Sequence, residues 1–304
     1  MDTNIKMKNP TVSVVIATHN YARFLPEALQ SVLSQTYTDW ECIIVDDAST
    51  DNTEEIAREW MAKDIRFRYI KNERNLGEAG TRNVGNATAR GEYIAVLDAD
   101  DWWELDKLEL QMQAFADNSN ALICYAGAIV HENDTKRIWN IETHIKDEFD
   151  YALRVGDQCP HGSVIVKKQT LAEVGGYDVS LPPAADWDLW LRVMFRFGAE
   201  SFSGIDKPLL HYRIHGNNIS GNPLKLCRAE RIVMIRSLLH KGYLFRYPFK
   251  AKMILDAQLD REINNYRKHM LFHKAYRIAI YSALLSPIRR WKWQRALALR
   301  RQHV

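Results

Sequence analysis

The sequence has few cysteines, no long apolar run and none of the common glycine-rich phosphate motifs. Its four cysteines are widely separated and form no CxxC pair, which argues against a disulfide scaffold or a zinc ribbon and favours a reducing, cytoplasmic location. The polar start, MDTNIKMKNP, lacks an apolar signal core, and no stretch approaches the about 18 apolar residues of a membrane span, so we expect neither export nor a spanning helix. No GxGxxG follows the first predicted strand and no GxxxxGK(S/T) occurs, which disfavours a dehydrogenase and a P-loop enzyme.

The composition is that of a globular protein with an uneven distribution of charge. Of the 304 residues, 46% are apolar and 26% are charged, and the length allows one large domain or two ordinary ones. Residues 224–304 contain 19 Lys and Arg against four Asp and Glu, whereas residues 1–223 contain 22 against 34. The basic tail therefore suggests an anionic partner, with nucleic acid and the membrane surface as the usual candidates.

Apolar runs rich in β-branched residues alternate with amphipathic segments over the first third of the chain. The predicted strands cover residues 12–18, 41–45, 66–70 and 93–97, and the predicted helices cover residues 26–35, 53–63 and 80–87. Continuous apolar runs of this length are typical of strands that are buried on both faces. The alternation predicts an α/β fold, a Rossmann-like and mostly parallel sheet with helices on both faces.

Two of the predicted strands end in carboxylates. Asp46 and Asp47 follow the second strand, and Asp98, Asp100 and Asp101 follow the fourth. Ligands of open α/β sheets bind outside the carboxyl ends of the strands, and a diphosphate would be repelled there unless a divalent cation lay between. Residues two apart share a side, so Asp98 and Asp100 are expected to face one pocket, and their oxygens suit Mg²⁺ or Mn²⁺. The alternative is that this acidic segment only caps the next helix.

Four segments in order carry a family resemblance: VSVVIATHNYARFLPEALQSVLSQTY, IIVDDASTDNT, NLGEAGTRNVGNATARGEYIAVLDADD, and GGYD followed by ADWDLWLR. Together they resemble the family 2 glycosyltransferases, which have the GT-A fold, over about residues 11–220. The resemblance implies an inverting hexosyl- or N-acetylhexosaminyltransferase that uses a nucleoside-diphosphate sugar, with a UDP-sugar as the simplest donor. The acceptor would be a hydroxyl of a glycan or lipid-linked acceptor in cell-surface polysaccharide synthesis.

The same resemblance divides the chain into two regions. Residues 1–223 would form the GT-A catalytic domain, with a donor half at about residues 11–101 and an acceptor half at about residues 102–223. Residues 224–304 would form a helical and basic C-terminal extension.

The resemblance assigns the donor nucleotide to residues near the strand ends. Asp47, with Asp46 beside it, would recognise uracil or an equivalent base through hydrogen bonds that a carboxylate accepts. Thr18 and Asn20 would touch the same nucleotide, although a polar turn at a strand end explains each of them equally well. Asn83 would line the donor pocket.

The LDADD segment resembles the family's metal motif. Asp98 would approach the ribose and the metal, and Asp100 would ligate a Mn²⁺ or Mg²⁺ ion that bridges the diphosphate. Further along, LLHYRIHGNNIS resembles a segment in which a His approaches the metal or the diphosphate, which gives that role to His215; a purely structural His is the alternative. Arg213 would balance phosphate charge, whereas Arg82 would pair with an acidic strand end.

An inverting transfer needs a carboxylate within hydrogen-bond reach of the acceptor hydroxyl. The ADWDLWLR segment matches the family's Glu-Asp pair, so Asp186 takes the position of the base and Ala185 replaces the Glu. One alternative is that Asp186 is only the N-cap of a helix. Another is that Asp188 is the base, although Asp188 is better placed to pair with Arg192 four residues later.

The basic tail ends in the segment IRRWKWQRALALRR, which combines tryptophans with cations. This mixture suits the lipid headgroup layer and predicts peripheral attachment to the inner face of the plasma membrane. A small helical hairpin on the catalytic domain is the alternative for the tail.

Two other functions are alternatives to glycosyl transfer: a metal-dependent nucleotidyltransferase and a catalytically silent nucleotide-binding module. No nucleic-acid-binding motif occurs in the tail, so no nucleic acid partner is expected.

Overall fold

The computed structural model describes residues 9–143, 145, 159–181, 183–216, 218 and 223–239, and isolated positions between 249 and 264. The described strands are β1 (Val12–Thr18), β2 (Trp40–Asp46), β3 (Phe67–Lys71), β4 (Tyr93–Asp98), β5 (Trp102–Trp103), β6 (Ile123–Glu132), β7 (Thr135–Trp139), β8 (Ile165–Lys167) and β9 (Phe202–Ile214). The described α-helices are α1 (Leu25–Leu33), α2 (Thr53–Lys63), α3 (Gly77–Thr88), α4 (Lys107–Asp117), α5 (Lys168–Val174), α6 (Ala185–Phe197) and α7 (Pro223–Leu239).

The first four strands form an all-parallel block within one mixed sheet. The strand order is β3-β2-β1-β4-β8-β6-β9-β5, with β7 paired to β6. β1 runs parallel to both β2 and β4, and the register sets Thr18 opposite Asp46 and Ala17 opposite Asp98. The carboxyl ends of these three strands therefore lie side by side, as the sequence predicts.

The second half of the sheet contains antiparallel pairs that the sequence analysis did not predict. β8 pairs antiparallel with both β4 and β6, and the two-residue β5 pairs antiparallel with β9. β9 itself runs parallel to β6 along ten residue pairs and is bent by a register shift near Gly127. The long β9 carries its last residues towards the segment that follows β4, where Arg213 donates its backbone N–H to Asp101.

Apolar residues explain why these elements pack where they do. Every residue of β2 is buried, as the apolar run predicts for a strand covered on both faces. Helix α1 buries Leu25, Ala28, Leu29 and Val32, which are spaced to form one apolar stripe. These side chains belong to the hydrophobic core that also contains residues of β1, β2 and β4.

Helix α3 approaches the sheet closely because of a glycine. A Cβ atom at Gly85 would lie 2.3 Å from Cγ1 of Val15 on β1, so a larger residue would push the helix away. One turn earlier on the same helix, Arg82 forms an ion pair with Asp98 at the end of β4. The small residue thus allows α3 to carry charged side chains to the acidic edge of the sheet.

The chain divides into two compact units, residues 1–148 with 155–216 and residues 149–154 with 217–304. All of the described strands belong to the first unit. None of the helices among the described residues combines the length and the apolar character that a membrane span requires. The tryptophan-rich basic segment at residues 288–301 lies outside the described residues.

Candidate active site

Thr18 is the first polar side chain at the sheet edge. It ends β1 and is only 3% exposed. Its backbone oxygen accepts a hydrogen bond of 2.8 Å from the N–H of Asp47, whereas its Oγ1 has no hydrogen-bond partner among the described residues. Buried hydroxyl groups are normally paired, so Thr18 is a group that a bound ligand could satisfy.

Asp46 is fully buried and engaged within the chain. Its Oδ1 accepts a hydrogen bond of 2.8 Å from the N–H of Ser49, and its Oδ2 accepts one of 2.6 Å from the hydroxyl of Tyr69. These two contacts fix the turn that follows β2 against β3. Asp46 therefore shapes the wall of the site, and direct contact with a nucleotide stays a prediction.

Asp47 holds the start of helix α3. Its Oδ1 accepts hydrogen bonds from Asn72 Nδ2 at 2.9 Å and from the N–H of Leu76 at 2.7 Å, and its Oδ2 accepts one from the N–H of Gly77 at 2.9 Å. The first N–H groups of a helix have no partner within the helix, and here Asp47 accepts their hydrogen bonds. The helix can therefore begin at Gly77, three residues before the predicted start. Recognition of a base by Asp47 is left untested by these contacts.

Asn20 ties the loop after β1 to the loop after β2. Its backbone lies in the left-handed region at φ 58°, and its N–H donates to Ser49 Oγ at 2.9 Å. Its Oδ1 accepts a hydrogen bond of 2.8 Å from the N–H of Thr50. Asn20 remains exposed, so it is accessible to a ligand at this edge.

Arg82 joins two carboxylates at the end of β4. The guanidinium lies 2.5 Å from Asp98 Oδ1 and also pairs with Glu78, four residues earlier on α3. The predicted pairing of Arg82 with an acidic strand end is confirmed. Burial alone would raise the pKa of Asp98, but the charge of Arg82, the charge of His161 and the hydrogen bond from Arg82 together outweigh burial and lower it.

Glu78 is a charged residue of the site that the sequence analysis missed. Burial raises its pKa to about 7 against the opposing charge of Arg82, and the charges of Asp98 and Asp186 add to the rise. Glu78 lies four residues before Arg82, but the predicted helix begins only at residue 80, so the sequence analysis did not place the two residues on one helix face.

Asp100 and His215 meet where β9 ends. His215 Nε2 lies 2.9 Å from Asp100 Oδ2, and only about a tenth of each side chain is exposed. The imidazole stacks on Phe24 with ring centroids 4.7 Å apart and meets Tyr21 edge-on. The structure therefore brings together two of the three predicted metal ligands, held in place by aromatic rings from the loop before α1.

Asp101 and Arg213 fasten β9 to the acidic segment. Asp101 Oδ1 accepts a hydrogen bond of 2.8 Å from the backbone N–H of Arg213, and Arg213 Nε donates to the backbone oxygen of Asp100 at 2.9 Å. The Arg213 guanidinium also pairs with Glu27 and lies 4.6 Å from the ring centroid of Trp102. Asp101 thus holds the end of β9 against the segment that follows β4.

The donor set fits a hard divalent cation in part. Asp100 offers a carboxylate oxygen and His215 an imidazole nitrogen at one point, and Mg²⁺ or Mn²⁺ sites often use one or two protein carboxylates together with phosphate and water. Within the part of the chain that the structure describes, no group of three or more His, Cys, Asp or Glu side chains is arranged to hold a metal. Asp98, the third predicted ligand, is turned towards Arg82.

Asp186 lies at the second position of helix α6, whose N-cap is Ala184. Its Oδ1 accepts a hydrogen bond of 2.8 Å from the N–H of Trp187, and the interpretation of Asp186 as the N-cap is therefore wrong. Burial raises its pKa, Arg82 opposes the rise and Asp98 adds to it. These mutual effects mean that Asp186 lies in the same charged cluster as the end of β4.

Asp188 and Asn83 have contacts elsewhere. Asp188 Oδ2 accepts a hydrogen bond of 2.8 Å from Arg192 Nε, which confirms the predicted pair. The amide of Asn83 makes two hydrogen bonds with the backbone of Tyr177. Its predicted place in the donor pocket stays a prediction, and its observed contact is with the turn before α6.

Comparison with known proteins agrees with this geometry. The family described as glycosyl transferase family 2 matches residues 13–168, just over half of the chain. An uncharacterized glycosyltransferase of Methanocaldococcus jannaschii is 35% identical over 213 residues, which are 69% of this chain and 72% of that protein. The putative teichuronic acid biosynthesis glycosyltransferase TuaG of Bacillus subtilis is 30% identical, covering 74% of this chain and 87% of TuaG.

A third relative, the Escherichia coli UDP-Glc:α-D-GlcNAc-diphosphoundecaprenol β-1,3-glucosyltransferase WfaP, is 30% identical, covering 73% of this chain and 85% of WfaP. Two solved structures share the fold at low identity. Staphylococcus aureus TarS 1-349 with UDP-GlcNAc has a TM-score of 0.63 at 18% identity, covering 84% of this chain and 72% of that one. The mannosyltransferase PcManGT of Pyrobaculum calidifontis has a TM-score of 0.61 at 17% identity, covering 96% of this chain and 86% of that one.

The sequence match, the GT-A architecture and the charged strand ends lead to one assignment. The chain is a glycosyltransferase that belongs to glycosyl transferase family 2.

Proposed function

We propose that the protein transfers a sugar from a nucleoside-diphosphate sugar to a hydroxyl of a glycan or lipid-linked acceptor, with inversion at the anomeric carbon. The donor is a UDP-sugar and the product belongs to a cell-surface polysaccharide. The observation that carries this proposal is that the charges of the Arg82–Asp98 ion pair act on the pKa of the Asp186 carboxyl. A candidate base and a candidate donor-binding edge thus belong to one charged cluster.

The relatives and the similar structures support this choice of substrate class. TuaG is named for teichuronic acid biosynthesis, and WfaP is named for glucosyl transfer from UDP-Glc to a sugar on a lipid diphosphate. The TarS structure is a complex with UDP-GlcNAc, and the PcManGT structure is a complex with GDP-Man and Mn²⁺. Three of these four proteins are therefore either named for a donor or have one in their structure, and in two of the three the donor carries UDP.

In the proposed reaction the oxygen of the acceptor hydroxyl attacks the anomeric carbon of the donor sugar. The bond from that carbon to the diphosphate oxygen breaks, so the nucleoside diphosphate leaves with the bonding electron pair. Asp186 accepts the proton of the attacking hydroxyl, a role that its raised pKa favours because the base becomes stronger. Asp100 and His215 would hold the divalent cation, which stabilises the negative charge of the leaving diphosphate when bound.

The test of this proposal is product analysis with purified protein and Mn²⁺. UDP-Glc, UDP-GlcNAc and GDP-Man are each incubated with a GlcNAc-diphospholipid acceptor, and the released nucleotide and the configuration of the new bond are measured. Release of a nucleoside diphosphate with an inverted anomeric centre supports the proposal. Release of pyrophosphate would instead identify nucleotidyl transfer, and donor binding without any release would identify a silent binding module.

We further propose that the protein is cytoplasmic and acts on the inner face of the plasma membrane. The basic region at residues 224–304 would bind that face. Each basic residue near anionic lipid stabilises binding by about 1 kcal/mol, and this region has 19 Lys and Arg against four acidic residues. Flotation with phosphatidylglycerol vesicles tests the idea. The full chain should float with the vesicles and the chain lacking residues 289–304 should not, whereas equal flotation of both contradicts the role of that segment.

A further inference from the structure

The turn between helices α5 and α6 is held by hydrogen bonds from two helices, α3 and α6. It comprises residues 174–177, and Gly175 and Gly176 both have positive φ angles, 85° and 67°. Asn83 of α3 accepts a hydrogen bond of 2.9 Å from the N–H of Tyr177 and donates one of 2.9 Å to its oxygen. One amide therefore pairs both backbone groups of a residue 94 positions away.

Arg192 grips the same turn from helix α6. Its guanidinium donates to the backbone oxygen of Val174 and, at 2.7 Å, to that of Gly176. Its Nε donates to Asp188 at 2.8 Å, which fixes the direction of the guanidinium. Three hydrogen bonds from one planar group set the orientation of the turn relative to α6, a geometry that a lysine cannot reproduce.

The contacts of Asn83 and Arg192 join two helices that carry different parts of the candidate active site. Helix α3 carries Asn83 and also Arg82, whose guanidinium is paired with Asp98 at the end of β4. Helix α6 carries Arg192 and also Asp186. The turn is thus a continuous hydrogen-bonded connection between the helix that meets the metal motif and the helix that carries the candidate base.

Side-chain contacts reinforce this connection. Tyr177 is only 3% exposed, and the charge centre of Arg82 lies 5.7 Å from its ring centroid. The Tyr177 hydroxyl lies 3.3 Å from His161 Nε2 in the segment before β8. A Cβ at Gly176 would lie 2.8 Å from Asn83 Oδ1, so the glycine permits the close approach as well as the positive φ.

We propose that Asn83 and Arg192 are positioning residues that set the distance between Asp186 and the donor-binding edge by clamping residues 174–177. This inference rests on the proposed function, and it assigns to Asn83 a task other than contact with the donor. Efficient displacement needs the base, the attacking oxygen and the anomeric carbon in a narrow geometry, and a misplacement of about 1 Å can reduce turnover roughly 10²-fold.

Two conservative variants test the clamp. Arg192→Lys keeps the positive charge beside Asp188 but loses the paired contacts with Val174 and Gly176. Asn83→Asp keeps an acceptor for the N–H of Tyr177 but loses the donor to its oxygen. The matched controls are Arg196→Lys, on the same helix and half-exposed, and Asn120→Asp, at an exposed loop position.

Each variant is examined by crystallography and by kinetics with the donor and acceptor that the product analysis identifies. We expect the turn and the Asp186 carboxylate to shift relative to Asp98 in the two clamp variants only. Turnover should fall roughly 10²-fold with the donor KM unchanged, while both controls keep wild-type values. A general loss of folding would instead alter the melting temperature and both kinetic constants together.

The outcomes separate this inference from the proposed function. If the wild-type protein transfers no sugar, the proposed function fails, and the crystal structures still decide whether Asn83 and Arg192 hold Asp186 in place. Clamp variants in which Asp186 stays in its wild-type position overturn the inference. A displaced Asp186 with wild-type turnover overturns it as well. Should Asn83→Asp fail to fold, Arg192→Lys provides the same test from the other side of the turn.

Discussion

His215 Nε2 lies 2.9 Å from Asp100 Oδ2, although the two residues are 115 positions apart in the chain. The contact forms because β9 runs back along the sheet and ends beside the segment that follows β4. Neither residue is a member of a complete metal cluster within the described part of the chain. The pair nevertheless supplies one oxygen and one nitrogen ligand at the carboxyl edge of the sheet, where a diphosphate would need a cation.

The first prediction concerns Asp100. Asp100→Ala removes the carboxylate from this pair, so Mn²⁺-dependent binding of a UDP-sugar should be lost. Isothermal titration of UDP-GlcNAc in the presence and absence of Mn²⁺ measures the effect. The exposed Asp206 on β9 provides a matched control, and Asp206→Ala should bind as the wild type does. Unchanged metal-dependent binding by Asp100→Ala would contradict the assignment.

The second prediction concerns the base. Asp186→Asn retains the shape of the side chain but cannot accept the proton of the acceptor hydroxyl, and we expect turnover to fall roughly 10²- to 10⁴-fold. Donor affinity should survive because the asparagine has nearly the same shape and the proposed cation ligands Asp100 and His215 are unchanged. Steady-state kinetics and donor titration provide the two measurements. Near-normal turnover would reject Asp186 as the base, and a parallel Asp188→Asn variant tests the alternative.

The third prediction concerns the pH dependence of kcat/KM. Burial raises the pKa of Asp186 above the usual value of about 3.9. The base works only when deprotonated, so activity should fall as the pH drops through this raised pKa. The acid limb of the profile should therefore lie above the range of an exposed aspartate, and the residual activity of Asp186→Asn should lack it. A limb at the ordinary aspartate pKa would argue against a buried base.

The fourth prediction concerns Lys107, the first residue of α4. Its side chain is fully buried, its Nζ lies 3.9 Å from the ring centroid of Trp103, and this atom has no hydrogen-bond partner among the described residues. Burial lowers its pKa to about 7, against a reference of about 10.4 for an unfolded chain. Between these values the unfolded state binds more protons, so stability should rise with pH, by up to about 1.4 kcal/mol per unit.

Lys107→Met removes the titrating group and should flatten this rise while stabilising the protein near neutral pH. Urea unfolding at about pH 7 and about pH 8, below the usual thiol pKa of about 8.5, measures the free energy of unfolding. The exposed Lys136 on β7 provides the control, since Lys136→Met should keep the wild-type pH dependence. Equal pH dependence in all three proteins would show that Lys107 stays protonated in the folded state over this pH range.

Much of the parallel part of the fold could be predicted from local sequence. The strand β1 and the helix α2 have the predicted bounds, because an apolar β-branched run and an amphipathic stripe are both local signals. The pairing of Asp188 with Arg192 follows in the same way from a spacing of four residues. The meeting of Asp100 with His215 came from a family resemblance and not from any local pattern.

Contacts between distant segments account for what the sequence analysis missed. The strands β5 and β8 contain only two and three residues, which is too short to show an alternating hydrophobic pattern. They are recognised as strands only by their pairing with β9 and β4. The sequence also could not show that the carboxylate of Asp47 accepts hydrogen bonds from the N–H groups of Leu76 and Gly77. The same limit applies to Asn83, since its partner Tyr177 lies 94 positions away.

The central claim is that the acidic edge binds a nucleoside-diphosphate sugar through a divalent cation held by Asp100 and His215. The most direct measurement is a crystal structure of the full chain with UDP-GlcNAc and Mn²⁺, recorded at the manganese absorption edge. We expect an anomalous peak in contact with the diphosphate, with Asp100 and His215 as its protein ligands. The claim is contradicted if the donor is bound and manganese lies away from both residues. It is equally contradicted if the donor is bound while Asp100 and His215 keep their mutual contact and no manganese lies beside them.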